Sequence, residues 1–586
     1  MKHCKSRITA VVGAAIFTGS LSINMANAQS LWEANSPFLK GIQTVPHMEP
    51  TLPHETWEAE AATKLEDLEK KTGRKPNILI FIIDDMGWGD PGCYGGGAAV
   101  GAPTPNMDAL ARSGLLMTSC YSQPSCTPSR AAFQTGRLPQ RTGQTRPTAA
   151  GEKAQKTQEL YLAKVLSEAG YATGMAGKWH LGESVGSRPT DQGGYDEFYG
   201  NLGVNTVYHD WRDGEISPEV VYNPEKYRIM AEEVEFIRHS VKLTKGSDEM
   251  TLVDEINLEN EPLLEEQYLE WSKDFIRRSV KAEKPFYLHH AMNRVHTKNY
   301  PHPDFRGKSP AGTPYKDGIL EVDWVLGEII KELKDTGQLE NTLVFLSSDN
   351  GAEEDVMAGG IFTSDAGHSP WRGAKGTTWE GGVRVSGIAS WPGMIKSGRS
   401  SDGLFDQMDL FTTSIRIAGG NLDTLPKDRY YDAIDQTGWL LTEADDKQES
   451  NREAIYYWYG QDFYGVRWQY MKRMERIMTI GTNPGPGTFG GLFNATTAET
   501  TDPTLGWYYN LYMDPKERIP TTRTWAIAPL VELSIRSKLS FLKYPQAPRG
   551  VKIGGYILGG PGGGTVPKGV LEAMRENAIS PAAMPD

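Results

Sequence analysis

The residues of this chain whose types and spacing could do chemistry fall into a few short clusters. In Cys126-Thr127-Pro128-Ser129-Arg130, a cysteine precedes a proline suited to a first helical turn, where a missing N–H costs nothing. Cys126 would then face the positive end of a helix dipole with Arg130 close by. That environment predicts a lowered thiol pKa and a place for an anion. Asp84 and Asp85 are adjacent carboxylates, which repel each other unless a cation or a set of donors compensates. Asp349 and Asn350 repeat the oxygen-rich pattern, while Lys178, His180, His296 and Lys375 add cations and proton carriers. Asp84, Asp85, Asp349 and Asn350 offer only hard oxygen ligands, which suits Ca²⁺ or Mg²⁺ and argues against zinc. Lys178, Lys375 and Arg130 would outweigh the negative charge left after a divalent cation binds, so the cluster could receive an anionic group.

Each cluster follows an element able to position it. Residues 77–83 form a continuous apolar, β-rich run, the pattern of a strand buried on both faces of a parallel sheet, and it stops at Asp84. Residues 342–348 repeat this grammar before Asp349. Short strands over 171–176 and 285–291 lead into Lys178/His180 and His296, and Lys375 lies in a glycine-rich loop before a strand over 383–390. In open α/β sheets, ligands bind beyond the carboxyl ends of the strands. His289 and His290 lie within a strand and read as core or supporting residues; His296 lies past its end. Apolar periodicity predicts helices over 55–71, 105–116, 157–169, 265–278, 319–333 and 404–419. Between about 210 and 270 the pattern weakens and acids accumulate, which reads as an insertion over one face. From about 440, aromatic alternating segments predict a smaller antiparallel sheet.

The N-terminus reads as a secretory signal. Lys2, Lys5 and Arg7 precede an apolar run, and Ala26-Asn27-Ala28 offers a cleavage site. The run is short for a membrane span, so the expectation is an exported protein, periplasmic or secreted. Cleavage would remove three positive and no negative side chains, taking the formal charge from −13 to −16. Such acidity excludes sequence-independent nucleic-acid binding and gives a polyanion no general attraction. Of four cysteines, Cys4 leaves with the signal; Cys93 and Cys120 either pair or stay as buried thiols. The domain boundaries expected are 1–28 (signal), 29–75 (arm and helix), 76–440 (catalytic domain), 441–543 (antiparallel subdomain) and 544–586 (Gly/Pro-rich tail).

Taken together, Cys126-x-Pro128-Ser129-Arg130 with Thr135-Gly136, Asp84-Asp85, Lys178-x-His180, Asp349-Asn350-Gly351 and Arg372-Gly373-x-Lys375 resemble the signature of the formylglycine-dependent, arylsulfatase-like sulfatases across about residues 76 to 520. The resemblance implies the alkaline-phosphatase superfamily fold: a large mixed, mostly parallel α/β sheet flanked by helices. It implies that a maturation enzyme oxidises Cys126 to Cα-formylglycine (3-oxoalanine). It favours Ca²⁺, with Mg²⁺ as the alternative, on Asp84, Asp85, residue 126, Asp349 and Asn350. One hydroxyl of the aldehyde hydrate would attack sulfur, and the other would expel sulfate by re-forming the aldehyde. By analogy Arg130 holds the hydrate, Lys178 and Lys375 take up charge on the transferred group, His296 protonates the leaving oxygen and His180 serves the hydrate. The two histidine roles remain exchangeable. The substrate expected is an aryl or carbohydrate sulfate ester. The competing readings are a phosphomonoester or phosphonate hydrolase on the same scaffold, and a non-catalytic binding protein that keeps Cys126 as a thiol.

Overall fold

Two apolar runs far apart in sequence, Asn77–Ile83 (β1) and Thr342–Ser348 (β8), lie side by side in parallel, with Ile83 opposite Ser348. Around them the other strands of the main sheet are Leu115–Tyr121 (β2), Ala172–Lys178 (β3), Glu197–Asn201 (β4), His239–Thr244 (β5), Thr251–Glu255 (β6), Phe286–Ala291 (β7), Arg384–Ser390 (β9), Arg399–Ser401 (β10) and Phe405–Asp406 (β11). The structure, a computed structural model, describes residues 45–148, 159–204, 212–214, 217–229, 231, 239–353, 367–444, 448–479, 499–521 and 523–545. The signal and nearly all of the tail expected from the sequence lie outside those residues.

The 11-stranded sheet runs β10-β2-β9-β8-β1-β7-β3-β4-β5-β6, with β11 also on β2. The central strands β8, β1, β7, β3 and β4 are parallel, while β9, β5 and β6 join antiparallel, so the sheet is mixed and mostly parallel as expected. Alternation along β1 shows why the run is apolar throughout. Ile78, Ile80 and Ile82 enter one core; Leu79, Phe81 and Ile83 enter the other. The first core takes apolar residues from helices Glu55–Thr72, Cys126–Thr135, Leu162–Glu168 and Asp409–Ile417. The second takes them from Leu264–Lys281 and Pro314–Asp335.

A second sheet, β12 (Ala454–Tyr459), β13 (Asp462–Trp468), β14 (Met471–Met474) and β17 (Trp507–Asn510), is antiparallel throughout; Ile477–Thr479 (β15) pairs with Glu499–Thr501 (β16). Alternation again sorts the side chains. Tyr456 and Trp458 join the first core with Phe541 of helix Thr524–Lys543, whereas Ile455 and Tyr457 pack with Trp379 and Val383.

Three expectations are corrected. The helix expected over 105–116 stops at Arg112, because the chain after Gly114 pairs with β9 as a strand. Gly114 is held against that strand: a Cβ there would lie 2.1 Å from the Ala389 carbonyl oxygen. Part of the acidic stretch read as an insertion forms β5 and β6, which extend the sheet edge. The helix over 404–419 shortens to Asp409–Ile417, since Phe405 and Asp406 pair with β2. Cys93 and Cys120 are free thiols, not a disulfide. Among the described residues, no helix is long and apolar enough to cross a membrane.

Candidate active site

Neighbouring parallel strands deliver the chemistry to one edge. The β8–β1 register places Asp349 and Asn350 beside Asp84 and Asp85, and β7 and β3 follow on the other side, with His296 beyond the end of β7 and Lys178 as the last residue of β3. The backbone closes tightly here. Asp84 N–H donates to the Arg294 carbonyl (3.0 Å), and Val295 N–H donates to the Asp84 carbonyl (2.7 Å). Two glycines permit this approach: a Cβ at Gly177 would lie 1.8 Å from the Ala291 oxygen, and one at Gly351 1.8 Å from the Gly381 oxygen. Asp85 (φ 61°) and His180 (φ 57°) hold left-handed backbone conformations that are costly for non-glycine residues and tend to cluster at functional sites.

The helix Cys126–Thr135 is buried along its whole length, with Cys126 as its first residue. The Cys126 Sγ lies 3.4 Å from Asp84 Oδ1 and 3.8 Å from Asp85 Oδ1. One turn on, Arg130 reaches the Asp349 carboxylate through Nε (3.0 Å) and Nη2 (2.8 Å), and donates from Nη1 to the Lys178 carbonyl (2.7 Å). Lys178 Nζ meets Asp84 Oδ2 at 2.5 Å. Lys375 Nζ meets Asp85 Oδ2 at 2.7 Å, Glu353 Oε2 at 2.9 Å and His296 Nε2 at 3.0 Å. The sequence candidates are therefore brought together in one buried constellation. His180 adjoins it through its backbone, whose carbonyl accepts from Thr127 Oγ1 (2.8 Å); neither of its buried ring nitrogens has a hydrogen-bond partner among the described residues.

Electrostatics separates these groups. Burial pushes Asp84 and Asp85 up, but Lys178 beside the one and Lys375 beside the other more than offset it, so both lie below the usual range. Asp349 is raised, because burial and the neighbouring Asp84 outweigh Arg130. The lowered Cys126 thiol pKa expected from the sequence is overturned. Burial and then Asp349 raise it well above the ordinary value, against Lys178 and Lys375. The helix start is real, but Arg130 is spent on Asp349 and the thiol faces acids. Burial and Lys375 lower His296 to about 4 against Asp85, and burial with Lys178 lowers His180 well below its ordinary value.

The donor set fits a hard divalent cation. Ligand atoms of Asp84, Asp85, Cys126 and Asp349 all lie within 4.8 Å of one another. Asn350 Nδ2 donates to Asp85 Oδ1 (2.6 Å), which leaves its buried Oδ1 without a partner. An orphaned carbonyl oxygen beside three carboxylates is the donor that an oxygen-seeking cation would satisfy.

Sequence reasoning missed three supports. Glu353 meets Lys375 and lies 3.9 Å from His296 Nε2; burial, eased by Lys375, raises it to about 7. Its one signal is an acid three residues after Asn350. Asp90 ties the loop after β1 to its neighbours, accepting from Gly87 N–H (2.9 Å), Tyr315 Oη (2.7 Å), Lys316 Nζ (2.6 Å) and His368 N–H (3.1 Å). Lys472, on β14, donates to the Thr378 carbonyl (2.9 Å) and pairs with Glu380 and Glu517, bracing the Lys375 loop from the small sheet.

The sulfatase family model matches residues 76–420. The chain is 34% identical to the N-acetylgalactosamine-6-sulfatase of Canis lupus familiaris over 466 residues, 76% of this chain and 81% of the relative. It is 29% identical to the steryl-sulfatase of Rattus norvegicus over 511 residues, covering 77% and 86%. Among solved structures, the PsFucS1 sulfatase from Pseudoalteromonas sp. superposes with a TM-score of 0.79 at 40% identity, covering 86% of this chain and 98% of that one.

Proposed function

Because the chain belongs to the sulfatase family and is a sulfuric ester hydrolase, we propose that it removes a sulfate group from a carbohydrate, through a formylglycine made from Cys126 and a bound divalent cation. The carrying observation is the convergence of Cys126, three aspartates, Asn350 and three cationic side chains at one sheet edge. Asp84, Asp85, Asp349, Asn350 Oδ1 and the group at position 126 would hold Ca²⁺ or Mg²⁺, which when bound supplies charge stabilisation to the transferred group. The matured residue 126 supplies a hydroxyl nucleophile. Arg130, anchored on Asp349, fixes the start of the helix that carries residue 126. Lys178 and Lys375 flank the two aspartates from opposite sides and bind the sulfate oxygens. His296 has its Nδ1 on the Thr297 carbonyl (2.5 Å) and its Nε2 toward Lys375 (3.0 Å), so before substrate binds the ring is neutral with its proton on Nδ1. The negative charge of a bound sulfate ester beside Nε2 favours the imidazolium, whose Nε2–H then protonates the leaving alcohol. His180 serves the hydrate at position 126.

A carbohydrate is favoured over a steroid because the N-acetylgalactosamine-6-sulfatase is the more similar of the two relatives. Export is inferred from the N-terminal Lys2, Lys5, Arg7 and Ala26–Ala28 pattern. The test combines peptide mass spectrometry across Cys126 with kinetics on matched esters of one sugar. The expected result is an aldehyde at position 126 and release of sulfate from a hexosamine 6-sulfate. A matured enzyme that cleaved only the 6-phosphate, or an active enzyme with an intact thiol, would overturn the reading.

A further inference from the structure

Beside the small antiparallel sheet, two exposed aromatic rings continue into two half-buried ones, away from the catalytic residues. Tyr512, just after β17, is 59% exposed and Trp525, in the first turn of helix Thr524–Lys543, is 49% exposed. Tyr470, from the turn between β13 and β14, stacks on Tyr512 with centroids 5.2 Å apart and planes at 25°, and meets Trp525 at 6.1 Å. Trp468, at the end of β13, lies 6.0 Å from Trp525. Tyr512 Oη donates to Asp402 Oδ2 (2.5 Å), which pins one edge of the surface. Single exposed apolar residues need no explanation, but a contiguous set of large rings marks a contact surface.

The charge around these rings runs opposite to that of the whole chain, whose formal net charge is −13. Lys516, Arg518 and Arg523 are all exposed on the segment that joins Tyr512 to Trp525. Two acids of the neighbourhood are turned to other cations, and a third, Asp514, caps the backbone beside Arg518. Asp402 pairs with Arg384 and Arg467, and Glu517 is buried on Lys472. Asp514 accepts the backbone N–H groups of Arg518 (2.6 Å) and Ile519 (2.8 Å), with the Arg518 guanidinium 3.7 Å away. The same segment touches the loop that carries Lys375: Lys516 Nζ donates to the Trp371 carbonyl (3.2 Å) and Arg372 Nη1 to the Glu517 carbonyl (2.7 Å).

We propose that this aromatic and basic surface binds a sulfated polysaccharide chain outside the active centre. Flat rings offer broad apolar faces to the C–H faces of sugars, and lysine and arginine offer charge-assisted hydrogen bonds to sulfate groups. An acidic enzyme repels a polyanion in general, so a local cationic surface beside the Lys375 loop is where such a chain would be retained. A second copy of this protein is the poorer occupant, because a two-fold contact would set Lys516, Arg518 and Arg523 against themselves. The proposal rests on the reading that the active centre acts on carbohydrate sulfates.

The test is affinity electrophoresis of the full chain through gels containing chondroitin sulfate, a carrageenan or desulfated chondroitin. Trp525→Ala and Arg518→Glu are run as separate variants, with thermal melting to check that both fold. The expected result is retardation by a sulfated polymer only, weakened by added salt, and about tenfold weaker in either variant. KM on that polymer should rise to a similar extent, with turnover of a sulfated monosaccharide unchanged. Unretarded wild type, or folded variants retarded like wild type, would overturn the proposal. So would a wild-type dimer that Trp525→Ala converts to monomer, which would give the surface to a second copy. Retardation that both variants lose, without sulfate release from any polymer or sugar, would support the surface and fail the active-site reading.

Discussion

Two buried clusters of acids meet at the loop that carries Arg294 and His296, and they are built to opposite ends. At the sheet edge proposed as the active site, Asp84, Asp85 and Asp349 face Lys178, Lys375 and Arg130, each acid with a cation against it. Behind the loop that carries His296, Glu261, Glu265 and Glu321 surround Arg294. Arg294 donates from Nε to Glu321 (3.1 Å) and from Nη2 to the Tyr300 carbonyl (2.6 Å), while Glu265 accepts the Asn293 N–H (2.8 Å). All four side chains are buried. Where cations match acids, the carboxylates beside the lysines stay ionised and converge, ready for a metal and an anion. Where acids outnumber the cation, burial favours their protonated form, and the cluster serves as a brace that fixes the His296 loop. Counting acids does not find a site; the cations and orphaned oxygens around them do.

The comparison breaks most sharply at Cys126. If the catalytic cluster acts through residue 126, Cys126→Ala should abolish sulfate release while leaving the melting temperature near wild type, since the side chain removed is small. Any more than trace turnover by matured, purified variant would refute the aldehyde route. Next in size is the metal. Chelation should remove activity, with Ca²⁺ or Mg²⁺ restoring it better than Zn²⁺, and Asp349→Ala should lower metal content as well as turnover. The same chelation should leave the stability contributed by the Arg294 cluster untouched. Stoichiometric zinc in an active preparation would contradict the oxygen donor set.

His296 joins the two clusters, because its ring faces Lys375 and its loop rests on Arg294. In the proton-donor role proposed for it, it matters most for a poor leaving group. His296→Ala should cost an unactivated sugar sulfate about 10²–10⁴-fold and an activated nitrophenyl sulfate far less. Equal losses on both would make His296 a sulfate ligand only. The same leaving-group dependence in His180→Ala, with His296→Ala indifferent, would exchange the two roles.

How much of this the sequence disclosed follows from what is local. The Asp84/Asp85 and Asp349/Asn350 positions were legible because buried parallel strands write continuous apolar runs that end abruptly at the ligand edge. β2 was not, because Leu115–Tyr121 follows a helix directly and becomes a strand by pairing with β9 far along the chain. The last two strands on one side of the sheet, β5 and β6, are polar and partly exposed, so they carry little periodic signal. The thiol pKa of Cys126 was misjudged for a related reason. The helix start and Arg130 are local facts, but the carboxylates that reverse their effect come from β1 and β8. Lys472 and Glu353 escaped notice since each gains its meaning from contacts across the fold.

The smallest effect expected tests the brace itself. Burial, partly offset by Arg294, raises Glu261 to about 8 and Glu265 to about 7, from an ordinary value of 4.5. A carboxyl whose folded pKa lies above its unfolded one contributes stability that is fully present below the unfolded value and is lost as pH rises through the folded value. Between about pH 5 and 8 the folded chain therefore holds protons that the unfolded chain has released. Each such group tilts stability downward with rising pH by at most about 1.4 kcal/mol per pH unit. Glu58 and Asp406, both raised to about 7 by burial, tilt it the same way, so the informative quantity is the difference between variant and wild type. Glu265→Gln keeps an oxygen for the Asn293 N–H and carries no charge at any pH, which mimics the protonated acid. Its melting temperature should fall less than that of wild type between pH 5 and 8, with the two curves closest at the acid end. Parallel curves would mean that Glu265 is ionised in the folded protein and that Arg294 balances the cluster after all.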